Sequence, residues 1–297
     1  MTYTVEEYAT EADWLAARAS GIGASDVAAA LGLSKWKTPY TLWAELSGLL
    51  PRTMAETIAM RTGKDLEPII ADRYAEQTGR KVENWGRYTI LRSIEHPFLF
   101  ATLDRHQVDP VRGRGALELK ATGFSPDWLN EPPEGYQAQL QAQLVVAGYS
   151  WGTLAVMPWG QPVEHWDMER NADFCALMVE RLTQFWQRVK DGNPPATDGT
   201  PRTREALKAV YAKVVPEKIV RLPDVAVQWD AEIEECKAEI KRLEERKRAA
   251  EAHLITALGD AQSGLLPGGG SWSYAETRRD GYTVEPTTFR QLRRRAK

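Results

Sequence analysis

The chain has 297 residues, of which 43% are hydrophobic and 27% are charged, and its formal net charge is −3. This composition is typical of a globular protein with one large domain or two modest ones, and it excludes a disordered chain. The basic excess that often marks a nucleic-acid binder is missing, so any nucleic-acid surface must be a local patch.

The first two thirds of the chain predict alternating helices and strands. A glycine-containing turn at 21–25 leads into a helix, with Ser25 or Asp26 as its N-cap. Further helices are predicted over 40–47 and 55–78. Strands are predicted over 87–92, 99–104 and 116–122, followed by a glutamine-rich helix over 135–147 and a strand over 152–158. This order predicts a layered α/β core.

A linker is predicted at 192–201, where three prolines and two glycines occur without periodicity. We therefore predict a domain over 1–195 and a mainly helical extension over 196–297. The extension contains a charged helix over 230–258, whose apolar and small residues follow a heptad spacing that Lys247 interrupts. The pattern fits a solvated helix with a narrow packing seam, and it also fits a coiled-coil or oligomer contact. A basic tail ends the chain with Arg293, Arg294 and Arg295.

Several features favour a cytoplasmic protein. Cys175 and Cys236 lie far apart without ligand-like spacing, which argues against a disulfide framework and a zinc site. The first twenty residues carry four acids, which a signal peptide excludes from its apolar stretch. The longest uncharged run, between Glu134 and Glu164, is interrupted by glutamines, glycines and proline, so it predicts a buried helix and a strand instead of a membrane span.

The first candidate catalytic residues lie in the predicted strand over 116–122. Strand alternation places Glu118 and Lys120 on one face. The Glu-x-Lys spacing alone is weak evidence, because the charged helix repeats it three times. Only the copy at Glu118 falls in a predicted buried strand, where an unpartnered charge costs several kcal/mol. A salt bridge at the strand edge is the structural alternative.

Two more carboxylates lie near predicted core positions. Asp104 ends the apolar run 98–103, and Glu67 lies between core candidates of a helix. Each alone is consistent with an ordinary surface acid. Together with Glu118 and Lys120, they would form a carboxylate cluster that suits one or two Mg²⁺ or Mn²⁺ ions. Such ions polarise a phosphodiester and activate water, while a lysine orients the water or stabilises the oxyanion.

Four motifs occur in a fixed order: Gly-x-x-Leu-Glu-Pro68, Ala-Thr-Leu-Asp-Arg105, Leu-Glu-Leu-Lys120 and Tyr-x-x-Gln-x-Gln141. This set resembles the YqaJ-like viral recombinases, phage nucleases related to lambda exonuclease within the PD-(D/E)XK, or restriction-endonuclease-like, superfamily. The resemblance covers roughly residues 10–190 and implies a central mixed β-sheet flanked by helices. It implies a metal-dependent 5′→3′ exonuclease that acts on double-stranded DNA and makes 3′ single-stranded tails for phage-type homologous recombination.

Matched by motif position, the resemblance implies that the catalytic residues are Glu67, Asp104, Glu118, Lys120 and Gln139. It implies that Asp104 and Glu118 bind the metal directly, with the Leu119 backbone carbonyl as a further ligand.

The helix motif adds Tyr136, Gln139 and Gln141 beside the site. Two glutamines at i and i+2 cannot share a helix face, so we predict Gln139 at the site. Tyr136 and Gln141 are then candidate DNA contacts.

The spacing Trp14-x-x-x-Arg18, with Ser25 seven positions later, resembles the family's pocket for a terminal 5′ phosphate. Glycines let backbone N–H groups approach an anion, Ser25 adds a hydroxyl, the following helix presents its positive end, and Arg18 can bind phosphate bidentately. A plain glycine turn with an N-cap is the structural alternative.

Four further residues are candidate DNA contacts. Lys35, Trp36 and Lys37 interleave charge with an aromatic ring that can stack on a base. A core Trp36 with solvated lysines fits equally well. Arg105 is a candidate for DNA contact or for pairing with a neighbouring carboxylate.

The resemblance also implies double-stranded DNA ends as substrate, a single-strand annealing protein as partner, a homo-oligomeric ring and the cytoplasm of a bacterial host with a phage or prophage. No membrane partner is expected. Two alternatives stay open: an endonuclease of the same superfamily, of restriction or junction type, and a non-catalytic DNA-binding or scaffold protein. The pocket of Arg18 and Ser25 favours an enzyme that reads DNA ends.

Overall fold

The computed structural model describes residues 2–52, 57–122, 128, 130–158, 161–278, 281, 290 and 294. The chain divides into two compact units, Met1–Ala212 and Lys213–Lys297. The helices of the first unit are α1 (Glu11–Arg18), α2 (Val27–Ala30), α3 (Pro39–Leu46), α4 (Ile58–Thr78), α5 (Glu134–Ala147), α6 (Ala172–Asp191) and α7 (Pro201–Val210). Its strands are β1 (Tyr3–Glu7), β2 (Ile22–Gly23), β3 (Lys81–Glu83), β4 (Thr89–Ser93), β5 (Leu99–Ala101), β6 (Arg105–Asp109), β7 (Gly113–Thr122), β8 (Trp151–Pro158) and β9 (Glu164–Glu169).

The strands of the first unit form two sheets. The five-stranded sheet has the order β3-β6-β7-β8-β9, in which β7 and β8 are parallel and the other neighbours are antiparallel. The four-stranded sheet has the order β1-β4-β5-β2, in which β2 and β5 are parallel and the other neighbours are antiparallel. Strand β7 therefore has neighbours on both edges.

Strand β7 separates two hydrophobic cores. Leu117 and Leu119 pack with residues of α4, among them Ile70. Ala116 belongs instead to the core that α5 shares. The alternation of β7 therefore directs Glu118 to the α5 side, where it is 2% exposed. This arrangement agrees with the face predicted from the sequence.

Two boundaries differ from the sequence predictions. Strand β5 ends at Ala101, so Asp104 lies beyond it instead of closing the strand.

Helix α7, which the sequence places in the extension, packs within the first unit. Its Thr203 hydroxyl donates to Thr38 Oγ1 at 2.9 Å, and its Ala206 is buried. The compact unit thus reaches past residue 195, the limit predicted for the first domain.

The second unit contains the long helix α8 (Ala226–Leu258) and an antiparallel hairpin of β10 (Ser263–Leu265) and β11 (Ser271–Ser273). From the predicted basic tail, Arg294 donates to Asp230 at 2.9 Å. Arg293 and Arg295 lie outside the described residues. In the part of the chain that the structure describes, no helix is both long enough and apolar enough for a membrane crossing.

We expect Gly152→Ala to destabilise the protein. A Cβ at Gly152 would lie 2.9 Å from Leu140 Cδ1 and 3.0 Å from the backbone oxygen of Ala116. Overpacking of this kind costs about 1–3 kcal/mol, which urea unfolding measures. The control is Gly63→Ala in α4, where a Cβ would have no neighbour within 4 Å and alanine favours the helix by about 1 kcal/mol. Equal losses in the two variants would contradict this packing argument.

Candidate active site

The candidate site is centred on the buried carboxylate of Glu118 in β7. Its Oε1 accepts hydrogen bonds from Lys120 Nζ and from Gln139 Nε2, the latter at 2.5 Å. Its Oε2 accepts one from Gln143 Nε2 at 2.5 Å. Both oxygens therefore have donors, which offsets the cost of removing this group from water.

Helix α5 supplies the two amide donors because residues four apart lie on the same helix face. Gln139 and Gln143 both reach Glu118 for this reason. The motif match singled out Gln139 but not Gln143, although the i+4 spacing is visible in the sequence. Gln143 is fully buried, and its Oε1 has no hydrogen-bond partner among the described residues.

Gln141 lies on a different face of α5. Its Nε2 donates to the Glu169 backbone oxygen at 2.9 Å, and its Oε1 accepts from the Asn171 backbone N–H at 2.9 Å. Its side chain thus joins α5 to the segment that starts α6. With 4% exposure it is not placed to contact DNA, so that part of the prediction does not hold.

Asp104 lies beside Glu118. Its Oδ2 accepts a hydrogen bond from the Leu119 backbone N–H at 2.8 Å. Burial and the neighbouring charges of Glu118 and Glu67 raise the pKa of Asp104 to about 8, against the opposing effects of Lys120 and the Leu119 N–H. The cause is a surplus of negative charge in a place that water reaches poorly.

Lys120 is the principal cation of the site. Its Nζ donates to Glu118 and lies 5.2 Å from the centre of the Tyr136 ring. Burial lowers the pKa of Lys120, but the negative charges of Glu118 and Asp104 outweigh burial, so its pKa is raised overall. Lys120 is therefore an ammonium donor at neutral pH. Tyr136, the predicted DNA contact, stacks on Trp128 with ring centres 5.2 Å apart.

Glu67 of α4 is half-buried and belongs to the same electrostatic cluster. Burial raises the pKa of Glu67, Arg105 lowers it, Glu118 raises it and Lys120 lowers it. The guanidinium of Arg105 also donates to the Asp104 backbone oxygen at 2.6 Å. Of the two roles predicted for Arg105, these contacts favour pairing with a neighbouring carboxylate over contact with DNA.

The carboxylate oxygens of this site suit a small divalent cation that few protein ligands hold. In the described ranges, no group of three or more His, Cys, Asp and Glu side chains has the arrangement of a metal cluster. Asp104 and Glu118, the two side chains that the resemblance implies as direct ligands, stay the candidate ligands, together with the Leu119 backbone carbonyl. Mg²⁺ commonly binds through one or two carboxylates and keeps waters or substrate phosphates as its other ligands. A divalent cation would also offset the surplus charge that raises the pKa of Asp104.

A second polar site contains Arg18 of α1. Its Nη1 donates to Thr102 Oγ1 at 3.1 Å, and its Nη2 donates to Ser25 Oγ at 3.2 Å. Its guanidinium lies 4.7 Å from the centre of the Trp14 ring. Thr102 precedes Asp104 by two residues, which span at most about 7 Å of chain. The segment after β5 therefore joins the Arg18 site to the carboxylates.

The glycines of the neighbouring turn serve packing. A Cβ at Gly21 would overlap the Phe98 carbonyl, and the Ile22 N–H donates to that carbonyl at 2.7 Å. Packing against Phe98 therefore accounts for Gly21, and the Ile22 N–H is not available to an anion. Asp26 binds Arg52 Nη2 at 2.5 Å and does not cap α2 through its side chain. Helix α2 has four residues, too few for a strong dipole.

The segment 35–37 places its three residues in different surroundings. Trp36 is 73% exposed, so the core alternative is wrong, and the Arg202 guanidinium lies 5.6 Å from its ring centre. Lys37 Nζ pairs with Glu45 Oε2 at 2.6 Å, which makes this lysine part of a partly buried ion pair. Lys35 is exposed.

We expect Gln143 and Glu118 to be energetically coupled. A double-mutant cycle with Gln143→Leu and Glu118→Gln should give a coupling energy of about 1–2 kcal/mol in urea unfolding, because Gln143→Leu removes the donor of a buried hydrogen bond and Glu118→Gln removes the charge of its acceptor. The matched control is Gln141→Leu, since the hydrogen bonds of Gln141 go to the Glu169 and Asn171 backbone and to the Cys175 thiol, away from Glu118. It should be additive with Glu118→Gln to within about 0.5 kcal/mol. Additivity in both cycles would contradict the geometry.

Comparisons with known proteins identify a family and agree with this fold. Residues 13–150 match the model of the YqaJ-like viral recombinase domain. The chain is 31% identical over 260 residues to the uncharacterized protein YqaJ of Bacillus subtilis (strain 168), covering 86% of this chain and 80% of that protein.

Solved structures show the same fold. The alkaline exonuclease LHK-Exo from Laribacter hongkongensis is 23% identical, with a TM-score of 0.51, and the match covers 61% of this chain and 94% of that chain. The same exonuclease in complex with dAMP is 22% identical, with the same TM-score and coverage. The restriction-endonuclease-like fold predicted from the sequence is therefore confirmed.

Proposed function

Because the chain belongs to the YqaJ-like viral recombinase family, we propose that it is a metal-dependent deoxyribonuclease that degrades double-stranded DNA from its ends. Family and fold support the broader class, a nuclease. The finer proposal is a 5′→3′ exonuclease that leaves 3′ single-stranded tails for phage-type homologous recombination. One observation carries it: the segment after β5 joins an arginine–hydroxyl site to a buried carboxylate–lysine site.

In this proposal, Asp104, Glu118 and the Leu119 backbone carbonyl hold one or two Mg²⁺ or Mn²⁺ ions. When bound, such an ion neutralises phosphate charge and supplies an activated water. Lys120 donates a hydrogen bond to the attacking water or to the developing oxyanion. Gln139 is assigned to the site because it fixes the Glu118 carboxylate.

Glu67 completes the assignment of acidic residues. Its carboxylate interacts electrostatically with Arg105, Glu118 and Lys120. We do not assign it as a direct ligand of the metal ion.

End recognition is assigned to Arg18 and Ser25. The two guanidinium nitrogens that now donate to Thr102 and Ser25 are the pair that can bind a terminal 5′ phosphate in a bidentate manner. Trp14 supports the guanidinium from its ring face. Exposed Trp36, next to Lys35, is proposed to contact DNA near the duplex end.

The partners follow from the proposed reaction. A 3′ single-stranded tail is the substrate of a single-strand annealing protein, which we propose as partner. A homo-oligomeric ring around DNA, in the cytoplasm of a bacterial host, is proposed from the family resemblance.

The proposed polarity is tested with linear duplex carrying a label at the 5′ or the 3′ end, in Mg²⁺. The 5′ label should be released as mononucleotide at once, whereas the 3′ label should stay in long single strands. Covalently closed circles should remain intact. Cutting of circles at the rate of linear DNA would instead support the endonuclease alternative.

The Arg18 pocket predicts a preference for phosphorylated ends. The wild type should degrade 5′-phosphorylated duplex about 10–100-fold faster than 5′-hydroxyl duplex, the value of one bidentate arginine–phosphate contact. Arg18→Ala should lose this preference while keeping its rate on 5′-hydroxyl ends. The control is Arg181→Ala, an exposed arginine of α6. Retention of the full preference by Arg18→Ala would contradict the assignment.

A further inference from the structure

Helix α8 exposes an apolar face along its whole length. It has 33 residues, all of them described and none of them buried. At 1.5 Å per residue it is about 50 Å long. Four of its large apolar side chains are about half exposed: Trp229 is 52% exposed, Ile233 45%, Ile240 54% and Leu243 48%.

The exposed face follows an unbroken alternation of three- and four-residue steps. This spacing is the a/d repeat of a coiled coil. The positions along it are Ala226, Trp229, Ile233, Cys236, Ile240, Leu243, Lys247, Ala250, Leu254 and Ala257. A helix that packs on its own unit would bury these positions, and here they remain accessible.

The charges of α8 are divided between its two ends. Residues 230–239 contain five acids and one lysine, whereas residues 241–258 contain five basic residues and three acids. A parallel pair would place acidic segment against acidic segment and Lys247 against its own copy. An antiparallel pair places each acidic segment against a basic one.

We propose that α8 binds α8 of a second copy of this chain as an antiparallel coiled coil. We align the two helices so that the midpoints of their apolar faces coincide. In this register, Trp229 lies opposite Leu254 of the second copy. Ile240 then lies opposite Leu243, and Cys236 lies opposite Lys247. The same register places Glu239 next to Arg246 of the second copy and Lys237 next to Glu244. This contact is independent of the proposed nuclease chemistry.

Disulfide cross-linking of the full-length protein tests both contact and direction. Lys247→Cys should form a covalent dimer on mild oxidation, because residue 247 would face Cys236 of the second copy. The wild type should not, because the two Cys236 residues would be about 16 Å apart along the helices, beyond the ~7 Å that a disulfide spans. Cys175 is buried and serves as an internal control.

Two further variants complete the test. Cys236→Ala combined with Lys247→Cys should give no covalent dimer. Glu239→Arg should weaken association of the otherwise unmodified chain about five- to tenfold, and adding Arg246→Glu should restore it. Circular dichroism checks that the helix is retained. A covalent dimer of the wild type would show a parallel pair, and no covalent dimer of Lys247→Cys would show no pair; either result overturns the proposal.

Discussion

A carboxylate that is buried must keep its hydrogen-bond donors, and the candidate site is arranged around this requirement. Glu118 is nearly inaccessible, and its two oxygens take donors from Lys120, Gln139 and Gln143. Asp104 adds a second, partly buried carboxylate, to which the Leu119 N–H donates. Burial raises the pKa of Asp104, and the charges of Glu118 and Glu67, which one lysine does not balance, raise it further, to about 8. Surplus negative charge and hard oxygen ligands are the features that a divalent cation favours, and they support the proposed metal site.

The fold brings these groups together through two periodicities. The two-residue period of β7 sends Leu117 and Leu119 to one core and Glu118 to the opposite face. The 3.6-residue period of α5 then aligns two glutamines over Glu118. The short segment after β5 carries Thr102 toward Arg18 and Asp104 toward β7. Changes in sheet register would therefore disturb the carboxylate site and the arginine site together.

The sequence predicted those parts of the site that depend on local periodicity or on family motifs. Glu118 and Lys120 share a face as expected, and Gln139 lies against Glu118. Features that depend on packing between distant segments were not predictable. The close approach of Gly21 to Phe98 depends on the pairing of β2 with β5. The packing of α7 against the first unit was not predicted because α7 follows a proline-rich stretch that is typical of a linker. Strand β9 was not predicted because its charged residues resemble a solvated loop.

We propose that Asp104 and Glu118 share a divalent cation. Binding of Mn²⁺, measured by electron paramagnetic resonance, tests this proposal most directly. The wild type should bind one or two Mn²⁺ ions, and Asp104→Asn should weaken binding at least about tenfold because it removes a charged ligand. Lys120→Ala should retain binding while it loses DNA cleavage. Unchanged Mn²⁺ affinity in Asp104→Asn, with the fold intact, would contradict the assignment of this site.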